Sequence, residues 1–295
     1  GTAYSRLAGG RARGIDSVAR MTILVRAVTG NRLRLPLAKV KCGDSISLQG
    51  STMKKLLGGI ALALFVGGLL AQPAAAQWGY IPVYTSPAGY EGLRINADFG
   101  MGINDDAKVG EDSPMAFGGA IGYGTSNFNI TGLFSYVDTK VDALKKTPSF
   151  GANAAFTVLK QETGLAVNVF AGFGMWDVKD EATSTSQVKV MNIPFGVGIG
   201  FAPPSSGAVS FEIWAAPRGN YYSQDVPALS TEKINQFGFG ASGGVNVMFA
   251  QGFGIRAAVD WLNLPEKTLE NSTIISSASP IVVGGGLFYT FRIGG

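Results

Sequence analysis

From Leu93 onward the chain alternates. Leu93, Ile95, Ala97, Phe99, Met101 and Ile103 are apolar, and Arg94, Asn96, Asp98, Gly100 and Gly102 between them are polar or glycine. A period of two marks a strand with one apolar face, because successive side chains point to opposite faces. The pattern recurs over residues 115–123, 128–136, 150–158, 165–175, 193–201, 209–215, 237–249, 253–261 and 281–293, which gives ten runs in all. Each run is about ten residues long, the length of a tilted strand that crosses a bilayer. An even count suits a closed antiparallel barrel.

The connections alternate as well. Gly124-Thr125-Ser126-Asn127, Lys160–Gly164, Ala202–Gly207 and Ala250-Gln251-Gly252 are short and rich in turn residues. Those starting at Asn104, Asp138, Asp177, Gly219 and Leu262 are longer and polar. Short turns at one end and long loops at the other are the arrangement of a transmembrane barrel with both termini on the short-turn, periplasmic side. On that scheme Tyr123, Phe128, Phe201, Phe249, Phe253 and Phe291 fall near the short-turn end, and Tyr136, Phe150, Phe237 and Trp261 near the long-loop end. Aromatics at both borders of an apolar band fit interfacial girdles. A soluble barrel would reverse the faces, with apolar residues inside. Residue size favours the membrane reading: Gly and Ala crowd the face assigned to a narrow lumen, and Phe, Val and Ile crowd the other.

Upstream of the runs, Met53-Lys54-Lys55 is followed by the 15 apolar residues from Leu56 to Leu70 and by Ala74-Ala75-Ala76. That is the order of an export signal, with cleavage expected after Ala76. An uncleaved anchor is the alternative, and the run is shorter than the ~20 residues a spanning helix needs. Residues 1–52 are rich in Arg and lack a hydrophobic period. We expect them to be disordered, non-native translation ahead of a start at Met53; a basic nucleic-acid arm would obstruct the signal behind it. The domain expectation is therefore 1–52 upstream, 53–76 signal peptide, 77–89 periplasmic N-terminal segment, and 90–295 barrel.

Composition sharpens this. The 295 residues include 42 Gly, one Cys and no His. The missing His excludes Ser-His-Asp and Cys-His nucleophiles and His-ligated metals. The lone Cys, Cys42, lies upstream, so the exported part has no thiol. The net charge of +4 is misleading, because residues before 77 hold 11 basic and 2 acidic residues, leaving −5 for the remainder. No nucleic-acid partner and no cofactor are expected.

Candidate chemistry lies on the face assigned to the lumen, at Arg94, Asp98, Glu212, Arg256, Asp260 and Arg292. Charges in a narrow bore must pair. The ninth, tenth and first runs become neighbours on closure, so Arg256, Asp260, Arg292, Arg94 and Asp98 are expected to form one network. That network is either a plug of salt bridges or a gate. Gly238-Phe-Gly240-Ala-Ser-Gly243 spells a dinucleotide fingerprint, but it sits inside a strand pattern with no helix after it. The loop acids Asp105, Asp106, Glu111 and Asp112 lack the spacing of a calcium loop, and no metal site is assigned.

The pattern from residue 90 to 295 resembles the small outer-membrane β-barrel proteins, the OmpA-like and OmpW-like porin group. Leu287, Tyr289, Phe291 and Ile293 are similar to that group's final strand, which ends in an aromatic residue read by the barrel assembly machinery; here Gly294-Gly295 follow instead. The resemblance implies outer-membrane location, contact with membrane lipid and lipopolysaccharide, and an eight-stranded alternative to ten. Barrel enzymes of that membrane use an active-site His, so a non-enzymatic structural or small-pore role is expected. Two alternatives are a carrier of small apolar molecules, opening near Trp176 and Trp214, and an adhesin acting through the long loops.

Overall fold

The computed structural model describes residues 79–108, 112–205, 207–227, 233–249, 251–268 and 274–292. Residues 1–78, which hold the expected upstream segment and the expected export signal, lie outside that set, as do Glu111 and Ile293.

Each alternating run becomes a strand. They are β1 (Gly92–Gly102), β2 (Met115–Gly124), β3 (Phe128–Asp138), β4 (Thr147–Lys160), β5 (Leu165–Lys179), β6 (Ser186–Phe201), β7 (Val209–Asp225), β8 (Ile234–Phe249), β9 (Phe253–Asn263) and β12 (Ile281–Phe291). Two short strands, β10 (Lys267–Thr268) and β11 (Ile274–Ile275), pair within the last long connection. The pattern had not shown them, since two residues carry no period. The ten long strands close into one antiparallel barrel in which every strand pairs with its sequence neighbour and β1 pairs with β12. Closure leaves no unpaired edge, which a membrane demands of any sheet that spans it.

The faces divide by residue parity. Outward positions are apolar and exposed, as with Ile95, Phe117, Ile121, Ile213, Phe239 and Leu287. Inward positions are small or polar and buried, as with Asn96, Asp98, Ser135, Asn153, Asn168 and Ser242. An apolar outer wall around a polar interior is the inverse of a soluble barrel.

Strand length is uneven. β1, β2, β3, β9 and β12 have 10 or 11 residues, whereas β4 to β8 have 14 to 17. The excess is on the long-loop side, where β8 runs beyond its last pairing with β9 at Phe239. The projecting wall carries Asp177, Lys179, Lys189 and Asp225, so it is polar where it leaves the apolar band. Its inner surface is apolar: Trp176, Val178, Val188, Val190, Tyr222 and Ile234 pack with Leu144, Leu264 and Ile275 from the connections. A small hydrophobic core therefore sits at the long-loop end.

Residues 79–90 do not lead into the barrel from the periplasmic side, as expected of residues 77–89. They run through the bore. The segment starts near the long-loop end, where Tyr80 meets Gly100 and Ile81 meets Gly118, and descends to the short-turn end, where Tyr90 meets Gly122 and Gly124. Tyr80, Ile81, Val83 and Tyr84 are all buried. A turn closed by the Gly89 N–H on the Ser86 carbonyl (2.8 Å) precedes Gly92, where φ is +101°. A Cβ at Gly92 would run into the Phe291 carbonyl, so only glycine lets the chain swing from the bore into the first wall strand.

Candidate functional site

Among the described residues, buried charged and polar side chains converge in the lumen. Its glycines are the reason a peptide fits there. A Cβ at Gly100, Gly118, Gly122, Gly124 or Gly284 would overlap Tyr80, Ser135 and Ile81, Tyr90 or Pro82, and Gly198 and Gly200 face Pro87. Small inward residues leave room for side chains from opposite strands in a narrow barrel. They make room for backbone as well.

The wall holds that backbone by specific hydrogen bonds. The Val83 N–H donates to Asp260 Oδ2 at 2.8 Å. Asn246 Nδ2 donates to the Thr85 carbonyl at 3.2 Å and to Glu212 Oε2 at 2.9 Å. Glu212 also accepts from Ser86 Oγ at 2.7 Å and from the Ala88 N–H at 2.8 Å. Thr157 Oγ1 donates to the Pro87 carbonyl, and Asn168 Nδ2 to Thr85 Oγ1, each at 3.2 Å. The Arg256 guanidinium lies 4.0 Å over the Tyr84 ring. Buried N–H and C=O groups of an irregular segment need such partners, because no water replaces them.

Two ion pairs cross the interior. Arg256 Nε and Nη2 donate to Asp98 Oδ1 and Oδ2 at 2.8 and 2.6 Å, a bidentate fork. Arg218 Nη2 donates to Asp260 Oδ1 at 2.5 Å, with both side chains 1% exposed or less. Each pair reaches over an intervening strand at a glycine. Asp98, Gly286 and Arg256 share one row across β1, β12 and β9, and a Cβ at Gly286 would overlap the Asp98 carboxylate. Gly240 of β8 lies between β7 and β9, and a Cβ there would stand 3.3 Å from Arg218 Cζ.

The expected single network is thus divided. Asp98 and Arg256 pair, but Asp260 takes Arg218, not Arg256 or Arg292. Arg94 makes no ion pair among the described residues; its Nε donates to Thr290 Oγ1 at 2.9 Å, and its guanidinium sits between Tyr90 and Phe288. Glu212 holds the inner segment. Arg292 follows the end of β12, is exposed, and lies outside the lumen cluster. Arg218 was missed because the seventh run was ended at Ala215. Pro217 stands at an outward position there and lacks an N–H, and the pairing of β7 with β6 skips from Arg218 to Ala215. The parity of Glu212, Trp214, Ala216 and Arg218 was the available signal.

The interior balances its charges, with Arg94, Arg218 and Arg256 against Asp98, Glu212 and Asp260. Tyr84 Oη, Asn96 Oδ1 and Asn153 Oδ1 have no hydrogen-bond partner among the described residues, and their side chains border a polar cavity of about 40 Å³. That is room enough for ordered water. No group of His, Cys, Asp and Glu residues among the described ones is arranged to hold a metal ion. Asp106 instead accepts the Ser279 N–H at 2.7 Å and ties two connections together. Trp176 and Trp214 are buried, at 5% and 3% exposure.

The outer wall carries the other sequence candidates. Tyr123, Phe128, Phe201, Phe249, Phe253 and Phe291 are exposed toward the short-turn end, and Tyr136, Phe150, Phe237 and Trp261 toward the long-loop end. With closure, an apolar exterior and a polar filled interior established, the architecture is decided. The fold is that of an outer-membrane β-barrel.

No family model matches the chain, and no curated protein does. Solved structures do. The β-domain of the Bordetella autotransporter BrkA is 9% identical at a TM-score of 0.41, covering 68% of this chain and 100% of its own. The outer-membrane protease OmpT of Escherichia coli is 10% identical at 0.37, covering 68% and 94%. OprG of Pseudomonas aeruginosa is 12% identical at 0.33, covering 71% and 100%. These barrels differ widely in what they do, so the likeness concerns fold only.

Proposed function

We propose that this chain is a non-catalytic structural barrel of the outer membrane, and that its own residues 79–90 seal its bore. The single observation that carries this reading is the set of wall contacts to that segment, from Asp260 on Val83 to Glu212 on Ala88. A bore filled along its length by hydrogen-bonded peptide, under a hydrophobic core at the long-loop mouth, leaves no continuous water path. The charge balance supports a plug over a selectivity filter, which would present one sign of charge to the passing ion. The absence of His from the sequence supports a role without catalysis. The apolar belt with its bordering aromatics supports membrane lipid as the surrounding partner, and the exported part of the sequence supports delivery to the outer membrane.

The test is conductance of the purified, folded protein in planar bilayers. Silence is expected at moderate voltage. Regular single-channel steps from the intact chain would overturn the sealed-bore reading and restore the small pore.

A further inference from the structure

Two charges near the Tyr90 end of the inner segment are treated differently by the fold. Glu212 has its oxygens filled by Ser86, Ala88 and Asn246. Arg94 does not have its donors filled. Its side chain is part of a residue only 8% exposed, and only Nε has a hydrogen-bond partner among the described residues. The guanidinium carbon lies over the Tyr90 ring, 3.8 Å from its centroid, and over the Phe288 ring at 4.5 Å. Ring contacts of this kind do not occupy the Nη donors along the guanidinium edge. A buried cation with unspent donors is costly, so this edge is built to meet an acceptor.

Arg94 lines two cavities, the small polar one in the interior and a larger one at the mouth. About 410 Å³ opens at the short-turn end, lined by Tyr90, Glu91, Arg94, Ser210, Thr290 and Arg292 among others. Thr290 accepts from Arg94 Nε, so its own hydroxyl proton is free to donate. Arg292 supplies a second positive charge at the rim. A rigid, stacked guanidinium with a second cation and a hydroxyl donor matches a phosphate group or another oxyanion, which takes bidentate hydrogen bonds from a planar fork.

We propose that this vestibule binds a phosphate group, with the Arg94 edge as its main contact and Arg292 and Thr290 beside it. The position, at the short-turn mouth, admits both free phosphate and the headgroup phosphate of a lipid in the adjoining leaflet. Glu91 also borders the cavity, and its carboxylate opposes the bound charge. The vestibule lies at the Tyr90 end of the inner segment, so the site depends on that segment being in place but not on whether the bore conducts.

The experiment uses the folded chain in a phosphate-free maltoside detergent. Inorganic phosphate and a short-chain phosphatidylglycerol are titrated separately by calorimetry, with arginine side-chain NMR as the second readout. Saturable, salt-weakened binding of at least one is expected, with a shift of the Arg94 signals. Binding of inorganic phosphate alone assigns a free anion, and binding of the lipid assigns a headgroup. Arg94→Met should weaken binding at least tenfold, Arg292→Gln a few-fold, and Glu91→Gln should tighten it. Arg94→Lys keeps the charge but loses the fork, and covers the case in which Arg94→Met fails to fold. No binding of either probe, or binding unchanged in Arg94→Lys and Arg292→Gln, would overturn the proposal.

Discussion

Arg218 and Asp260 show how much one contact can hold. Both are fully buried, and Asp260 also accepts the Val83 N–H, so the pair anchors the inner segment as well as two wall strands. Removing one partner leaves an uncompensated buried charge, which typically costs about 3–5 kcal/mol. Arg218→Met alone should therefore lower stability by that order in urea unfolding from detergent. Adding Asp260→Leu should recover much of the loss, because a buried pair replaced as a unit by apolar groups is close to neutral; a double variant as unstable as the single would count against this account. Surface acids behave otherwise. The Thr183 N–H and hydroxyl both donate to Asp180 and hold its carboxyl below the usual carboxylate range. A depressed folded pKa means that these loop contacts persist above the ordinary value and are lost as pH falls through the folded one. The Thr183 amide shift should thus titrate with a midpoint below about 4, the usual Asp value; a midpoint at or above it would refute the tether.

Among the elements, the wall strands were legible because each obeys one rule, apolar out and small or polar in, over a length that a bilayer sets. Parity assigned Asn96, Asp98, Asn168, Glu212 and Asp260 to the inner face without knowledge of any partner. Pairing was another matter. A salt bridge that crosses a strand depends on which inward position of that strand is glycine, and Gly286 and Gly240 look like any other glycine in the sequence. The inner segment was illegible for a related reason. Residues 79–90 have no period, two prolines and two glycines set their path, and their hydrogen bonds are made by wall residues up to 177 positions away. Only the surplus of inward glycine, read with the barrel's width, hinted that the bore held more than side chains. Deletion of residues 79–90 should test the element directly. The shortened barrel is expected to conduct where the intact chain is silent; a shortened barrel that folds and stays silent would show that the loops alone close the bore.

At the scale of the molecule, the wall and its filling are one covalent chain. β1 is joined to the inner segment at Gly92, and the same strand forms the seam with β12, the last strand of the barrel. The order of synthesis then has a geometric consequence. A peptide that must lie inside a cylinder need not be threaded through either mouth if it is in place before the cylinder shuts. Here the filling precedes every wall strand, and the closing strand comes last. Assembly can therefore proceed as a curved sheet growing around its own N-terminal segment, with the β1–β12 seam as the final step. Misplacement of the segment would be an error of closure rather than of strand formation, and would appear as chains with full β content that fail to complete the ring.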